Sequence, residues 1–314
     1  MSGTTQSKHA QSKQAQSKHA RESGRGAAQA RAAANPPASG GAAPARRPSG
    51  AKRFLESRLA DWVLPLVLVA IIVAVWQAVC ASGAVEEYVL PAPGDVLGKM
   101  FGDFGTFADQ SVPTIVAIFV GFALAVVVAL PIAVAMVYSA IVRRAIYPLL
   151  IIAQVVPKVA IAPLFIIWFG FGQLPKVLMV ALICFFPVVI DSLVGFRAAR
   201  PESLMLVRSM GASRWQAFWK VRWPWALPSI FAGVKVGITL AVVGAVVAEF
   251  VGADKGLGVL LITARGDMDS LTVFASIAWL TVIGFVLFVA VEALERVLLP
   301  GKRGGRSHEA SGSL

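Results

Sequence analysis

The sequence predicts an all-α, polytopic membrane protein with six transmembrane helices and a short amphipathic helix in one cytoplasmic loop. Three observations predict it. Apolar residues are in excess, six apolar stretches are long enough to cross a bilayer, and charge alternates between those stretches. Of the 314 residues, 57% are hydrophobic and 15% are charged, against about 45–50% and about 25% in soluble domains. The surplus apolar surface needs an environment other than water, and lipid supplies it.

Residues 1–53 hold ten Lys/Arg against one acid, Glu22. Gln6-Ser7-Lys8-His9-Ala10 recurs twice with small changes, and an Ala/Gly/Pro/Arg stretch follows. This composition buries no core, so 1–53 reads as a disordered basic tail. The tail carries most of the net charge of +12. Charge beside an apolar body points to topology and lipid contact rather than to nucleic acid. The first apolar stretch begins only after residue 60 and is expected to act as an uncleaved signal anchor.

A helix needs about 20 apolar residues to cross the hydrocarbon core. Six stretches qualify: 62–81, 113–139, 146–169, 174–196, 229–251 and 274–299. The second is long enough to tilt or to extend beyond the bilayer. The third is interrupted by Pro148, Pro157 and Pro163, so it is the one that could be split. Residues 54–300 thus form the membrane body, and 301–314 a second tail.

Lys and Arg set the orientation. The basic amino-terminal tail, the 140–145 turn with Arg143 and Arg144, the 197–228 loop and the carboxyl tail all read as cytoplasmic. The 83–110 loop, with Glu86, Glu87, Asp95, Asp103 and Asp109 against Lys99, reads as external, as does the mixed 252–273 loop. Six spans reproduce this alternation, with both termini in the cytoplasm.

The 197–228 loop is longer than a tight helix connection. Gly211 to Lys220 reads as a short amphipathic helix with Ser213 as its N-cap and Trp215, Phe218 and Trp219 on one face. Pro224 and Pro228 are expected to stop it and to begin the next span. Two readings are open: a helix resting on the bilayer surface, or a knob fitting a groove on a partner protein.

Few polar groups lie within the spans. Glu249 is either an interfacial acid or part of a transport path. Lys158, if deep, calls for an acid such as Asp191 or Glu249; otherwise it snorkels. Gln154 lines a path or bonds a neighbouring helix. Asp191 reads as interfacial. Gly121, Gly195, Gly237, Gly244 and Gly284 read as close-packing positions. Cys80 and Cys184 read as small core hydrophobes. All three histidines (His9, His19 and His308) lie in the tails. No phosphate-binding Gly-Lys-Ser/Thr loop occurs, and no metal site or cofactor is expected. These gaps count against a membrane-embedded enzyme, and the scarcity of intramembrane charges counts against a self-sufficient secondary carrier.

The loop also resembles the signature of ABC importer permeases: Glu-Ala-Ala, three residues, Gly, nine residues, Ile, one residue, Leu-Pro. Aligned on Gly211, the Ile position is Val221 and the final pair is Trp223-Pro224. Met205-Leu206-Val207 replace the Glu-Ala-Ala. Three further stretches are similar to the nitrate/taurine/sulfonate class: Leu90-Pro91-Ala92-Pro93, Pro157–Leu164 with Ile167–Gly172, and Gly244–Phe250 with Gly256-Leu257-Gly258. Within that class, members moving thiamine-pyrimidine precursors or riboflavin are the most similar.

The resemblance spans residues 55–300 and implies a type I ABC importer permease in a bacterial inner membrane. It implies a separate ATP-binding subunit, a periplasmic solute-binding protein and a homodimer. The coupling residues it implies are Arg208, Gly211, Ala212, Ser213, Arg214, Trp215, Phe218, Val221 and Pro224. The candidate path residues are Gln154, Lys158 and Glu249. The solute class it implies is a small anion or vitamin precursor.

Overall fold

The computed structural model describes residues 60–299, with side chains from Val63 onward. The tails 1–53 and 301–314, with the repeat and the histidines they carry, lie outside the described residues. The chain divides into two compact units at Leu68/Val69. Of the first, only the opening of helix α1 is described.

Among the described residues all regular structure is helical. In chain order the helices are α1 Ala60–Ala81, α2 Pro93–Gly102, α3 Phe104–Tyr138, α4 Ala140–Val155, α5 Ala162–Phe169, α6 Gln173–Arg197, α7 Pro201–Ser209, α8 Arg214–Ala217, α9 Trp223–Gly252, α10 Leu257–Gly266 and α11 Ser270–Leu298. A 3-10 turn, Lys158–Ile161, precedes α5, and a π turn, Phe218–Arg222, joins α8 to α9.

Among the described residues five helices are long and apolar enough to span a membrane, six if the α4–α5 pair counts as one bent span. The third span is split, for a reason its prolines supply. Val156 is extended, as a residue before proline prefers. Pro157 caps the 3-10 turn, and α5 leaves at 88° to α4. Gly170, in the left-handed region at φ 75°, ends α5.

The second span does extend. Helix α3 runs for 35 residues and takes in Pro113, about 52 Å at 1.5 Å per residue, against a core about 30 Å thick.

Two segments expected to be external loop are helical. In α2, Pro93 opens the helix, Asp95 lies in its first turn and Lys99 in its last. Val96 and Met100 bury its apolar face beside Phe107 and Leu280. Lys99 also pairs with Asp103 at 2.8 Å. That hydrogen bond holds the ammonium pKa above its ordinary value. The second segment is α10, whose role is described below.

Helix α6 is the most buried span and α1 the least. Small residues let the neighbours of α6 approach. Gly121, Ala125, Ala129 and Ala133 recur every fourth residue on α3, all buried. Gly233, Gly237, Ala241 and Ala245 do the same on α9. A Cβ on Gly121 would stand 2.6 Å from the Val177 carbonyl oxygen, and one on Gly195 2.8 Å from that of Ala226. Gly237 and Gly244 are tight at 3.1 Å. Gly284 departs from expectation: its nearest neighbour would lie at 3.5 Å, an ordinary contact. Cys184 is buried and donates to the Gly237 carbonyl at 3.1 Å.

Candidate functional site

The connection between α6 and α9 is mostly helix. Pro201 opens α7, Glu202 sits in its first turn and Arg208 in its last. The chain then reverses at Gly211, φ 84°, where the Ala212 N–H donates to the Val207 carbonyl at 3.1 Å. No atom lies within 4 Å of where a Gly211 Cβ would be, so backbone geometry alone calls for glycine there.

Ser213 is the N-cap expected of it. Its hydroxyl accepts from the Gln216 N–H at 3.2 Å, and the Gln216 side chain accepts from the Ser213 N–H at 2.9 Å. This reciprocal pair is a capping box.

The structure corrects two expectations beyond this point. Pro224 and Pro228 do not stop a helix: Arg214–Gly252 is one continuous run of 39 residues. For Pro224 the π turn explains why. A proline ring collides with the carbonyl four residues back, and the widened turn sits directly before Pro224. The second correction concerns the aromatic face. Trp215 is 68% exposed and Trp219 is also exposed, but Phe218 is 5% exposed and Val221 is buried. Phe218 packs against Phe196, Tyr138 and Trp223 at ring separations of 5.6–6.0 Å. It anchors the turn to the body rather than presenting itself outward.

The exposed surface of the turn is apolar with a basic surround. Met205, Leu206, Met210, Trp215 and Trp219 are exposed, as are Arg208 and Arg214. Arg222 lies over the Tyr138 ring at 5.4 Å and Arg200 over Trp225 at 5.8 Å. Arg143, Arg144 and Arg197 line a cleft formed by the ends of α4 and α6.

Gln154 and Lys158 come together at the α4–α5 break. Lys158 donates to the Gln154 carbonyl at 3.2 Å and lies 4.8 Å from the Phe186 ring centre. Neither Asp191 nor Glu249 supplies the partner considered for it. A freed carbonyl and a ring face hold the ammonium instead.

Glu249 is buried inside the protein rather than exposed at its surface. It is 2% exposed and lies 3.6 Å from Lys176, which is 3% exposed. Lys176 is missing from the sequence-derived candidates. Its signal was a single cation among apolar residues at the start of a span. Among the described residues, no group of three or more His, Cys, Asp or Glu side chains is placed to hold a metal ion.

This architecture is that of a membrane permease. Residues 121–303 match the family of binding-protein-dependent transport system inner membrane components, and the chain belongs to that family. It is 31% identical to the formylaminopyrimidine transport permease protein ThiX of Halalkalibacterium halodurans, over 76% of this chain and 96% of that one. It is 37% identical to the riboflavin transport system permease protein RibX of Chloroflexus aurantiacus, over 75% and 88%. The MetNI methionine ABC transporter in an inward-facing conformation shares the fold, with a TM-score of 0.52 at 17% identity over 63% of this chain and 98% of that one.

The chain is therefore a multi-pass permease subunit of an ATP-driven importer. ATP hydrolysis belongs to a partner subunit, and a solute-binding protein completes the system. The secondary carrier and the membrane-embedded enzyme fall away.

Proposed function

We propose that residues 201–223 form the dock for the ATP-binding subunit and that two copies of this chain enclose the solute path. The observation that supports the dock is the group of exposed apolar side chains, Met205, Leu206, Met210, Trp215 and Trp219, on a turn fixed by Gly211 and by the Ser213 capping box. A groove on a partner is recognised by such a rigid apolar knob with basic flanks. The Glu-Ala-Ala carboxylate is absent, so shape and aromatic contact carry the docking. Arg208 and Arg214 steer it, while Phe218, Val221 and Pro224 hold the turn to the body.

The α4–α5 break supports the homodimer and the path. Broken helix at membrane depth persists only where protein or a water-filled cavity covers it. In a single copy the break is exposed at Val155, Val156 and Val159. A second copy facing it encloses Gln154 and Lys158. Glu249, buried and fully bonded, is assigned a structural part instead.

The orientation follows charge. The basic ends of α4, α6 and the 201–223 turn face the cytoplasm, and the end with Glu86, Glu87, Asp95 and Asp103 faces outward. Residues 54–300 are the permease body, and 1–53 and 301–314 are cytoplasmic tails in a bacterial inner membrane. The path cation and the names of the relatives support a small anion or a vitamin precursor of pyrimidine or flavin type as solute.

The deciding experiment reconstitutes the chain in proteoliposomes with its ATPase and binding protein and measures ATP-dependent uptake. Uptake by the chain alone, or equal uptake without ATP, would sink the proposal.

A further inference from the structure

Neither the dock nor the path uses the buried cluster around Glu249. A charge in the interior of a membrane protein is costly unless fully satisfied, and this one is. One carboxylate oxygen accepts from the Thr114 hydroxyl at 2.8 Å and faces the Lys176 ammonium at 3.6 Å. The other accepts from the Gly258 N–H at 2.7 Å.

The remaining bonds all reach the same place. The Leu257 N–H donates to the Thr114 hydroxyl at 3.0 Å, and the Gly256 N–H to the Gln110 side chain at 2.8 Å. Lys176 donates to the Lys255 carbonyl at 2.6 Å. The first N–H groups of α10, which a helix leaves unpaired, are thus met by side chains of α3 and α9. The carboxylate sits where the helix dipole favours a negative charge. Glycine at 256 leaves the room: a Cβ there would lie 2.2 Å from the Glu249 carboxyl carbon, and one on Gly258 2.9 Å from the Glu249 Cβ.

Glu249 lies in the last turn of α9. The other end of the same 39-residue run is Arg214, in the ATPase dock, about 52 Å from Glu249 at 1.5 Å per residue. One helix therefore holds the dock at one end and the start of α10 at the other, through a single carboxylate. We infer that Glu249, braced by Lys176 and Thr114, is a positioning residue that ties α10 on the outer face to displacements of the docking end. The inference rests on the dock assigned above.

The test is hydrogen exchange at amides 256–260 of the chain in complex with its ATPase in lipid nanodiscs, with and without a non-hydrolysable ATP analogue. In the wild type the analogue changes exchange at these amides severalfold. In Glu249→Gln, basal exchange at 256–258 rises about tenfold to a hundredfold, as loss of a buried charged hydrogen bond implies. The response to the analogue is lost there, while protection of residues 201–223 by the docked ATPase is kept. Thr114→Val, which retains the carboxylate, loses part of the response, and Thr114→Ser restores it. It also provides the reading if Glu249→Gln does not insert.

A full analogue response in Glu249→Gln or Thr114→Val overturns the inference, as does a wild-type complex whose α10 amides ignore the nucleotide. An ATPase that never protects residues 201–223 overturns the dock itself, and the effect on basal exchange then marks a helix cap alone.

Discussion

Phe218 lies 5.6 Å from Phe196, ring centre to ring centre, and this contact fastens the 201–223 turn, the proposed dock, to the end of the most buried span. Its neighbour Trp215, three residues earlier, stacks on it at 6.1 Å but remains exposed. The two aromatics therefore have separable duties. Truncating a buried Phe to Ala costs about 3–5 kcal/mol. Phe218→Ala is expected to lower the thermal unfolding temperature of the detergent-purified chain. Trp215→Ala is expected to leave that temperature unchanged and to weaken ATPase binding at least tenfold, as loss of an interface aromatic does. Equal ATPase affinity in Trp215→Ala would remove it from the dock.

Gly211 makes a second prediction. Its φ of 84° is the constraint, since no neighbour crowds it. Asn visits this conformation readily, whereas a β-branched residue does so at real cost. Gly211→Asn is expected to keep uptake near the wild-type level. Gly211→Val is expected to leave membrane insertion intact while uncoupling ATP hydrolysis from uptake. If the two variants behave alike in coupled transport assays, the turn geometry is not what couples.

The spans were legible because lipid imposes a length and a composition that a single sequence displays directly. The break in the third span was legible as three prolines. What was missed had other causes. Helices α2 and α7 are short and half polar, so a search for apolar runs passes over them. Their caps, Pro93 with Asp95 and Pro201 with Glu202, were nonetheless present. Pro224 was misread as a stop because a π turn, which has no sequence signature of its own, relieves its clash. The pairing of Lys176 with Glu249 joins residues far apart in sequence. Only the antiparallel packing of α6 and α9 brings the start of one to the end of the other. Burial of Phe218 was likewise invisible, since an amphipathic face shows which residues are apolar but not which of them meet the body.

Asp269 carries a pH prediction at the N-terminal end of α11, just before the span. It accepts from the Thr272 hydroxyl at 2.5 Å and from the Thr272 N–H at 3.0 Å. The hydroxyl first, then the N–H, holds its carboxyl below the ordinary aspartate value. A pKa depressed on folding gives stability that is present above the unfolded value, about 3.9, and is lost as pH falls through the folded value. Replacing such an N-cap with Ala costs about 1 kcal/mol. Asp269→Ala is expected to be less stable than wild type at pH 7. The gap in thermal unfolding should narrow once the pH falls below the unfolded value and close only below the depressed folded one. A gap independent of pH would show that the carboxylate charge is not what caps α11.

Lys158 gives the last prediction, because its surroundings distinguish a path cation from a lipid-anchored one. Its ammonium is held by the Gln154 carbonyl and the Phe186 ring, both neutral, and among the described residues no acid pairs with it. A lysine that merely snorkels can lose its charge with little effect on transport, since its stem packs as well as a methionine does. A lysine that meets an anionic solute cannot. In the reconstituted importer, Lys158→Met is expected to lower the maximal rate of uptake at least tenfold, with the solute affinity of the separate binding protein untouched. Lys158→Arg should retain a substantial part of the rate, because the positive charge is kept while its shape is altered. If Lys158→Met transports at the wild-type rate, the break between α4 and α5 faces lipid or neutral protein. The path then runs along another face of the bundle.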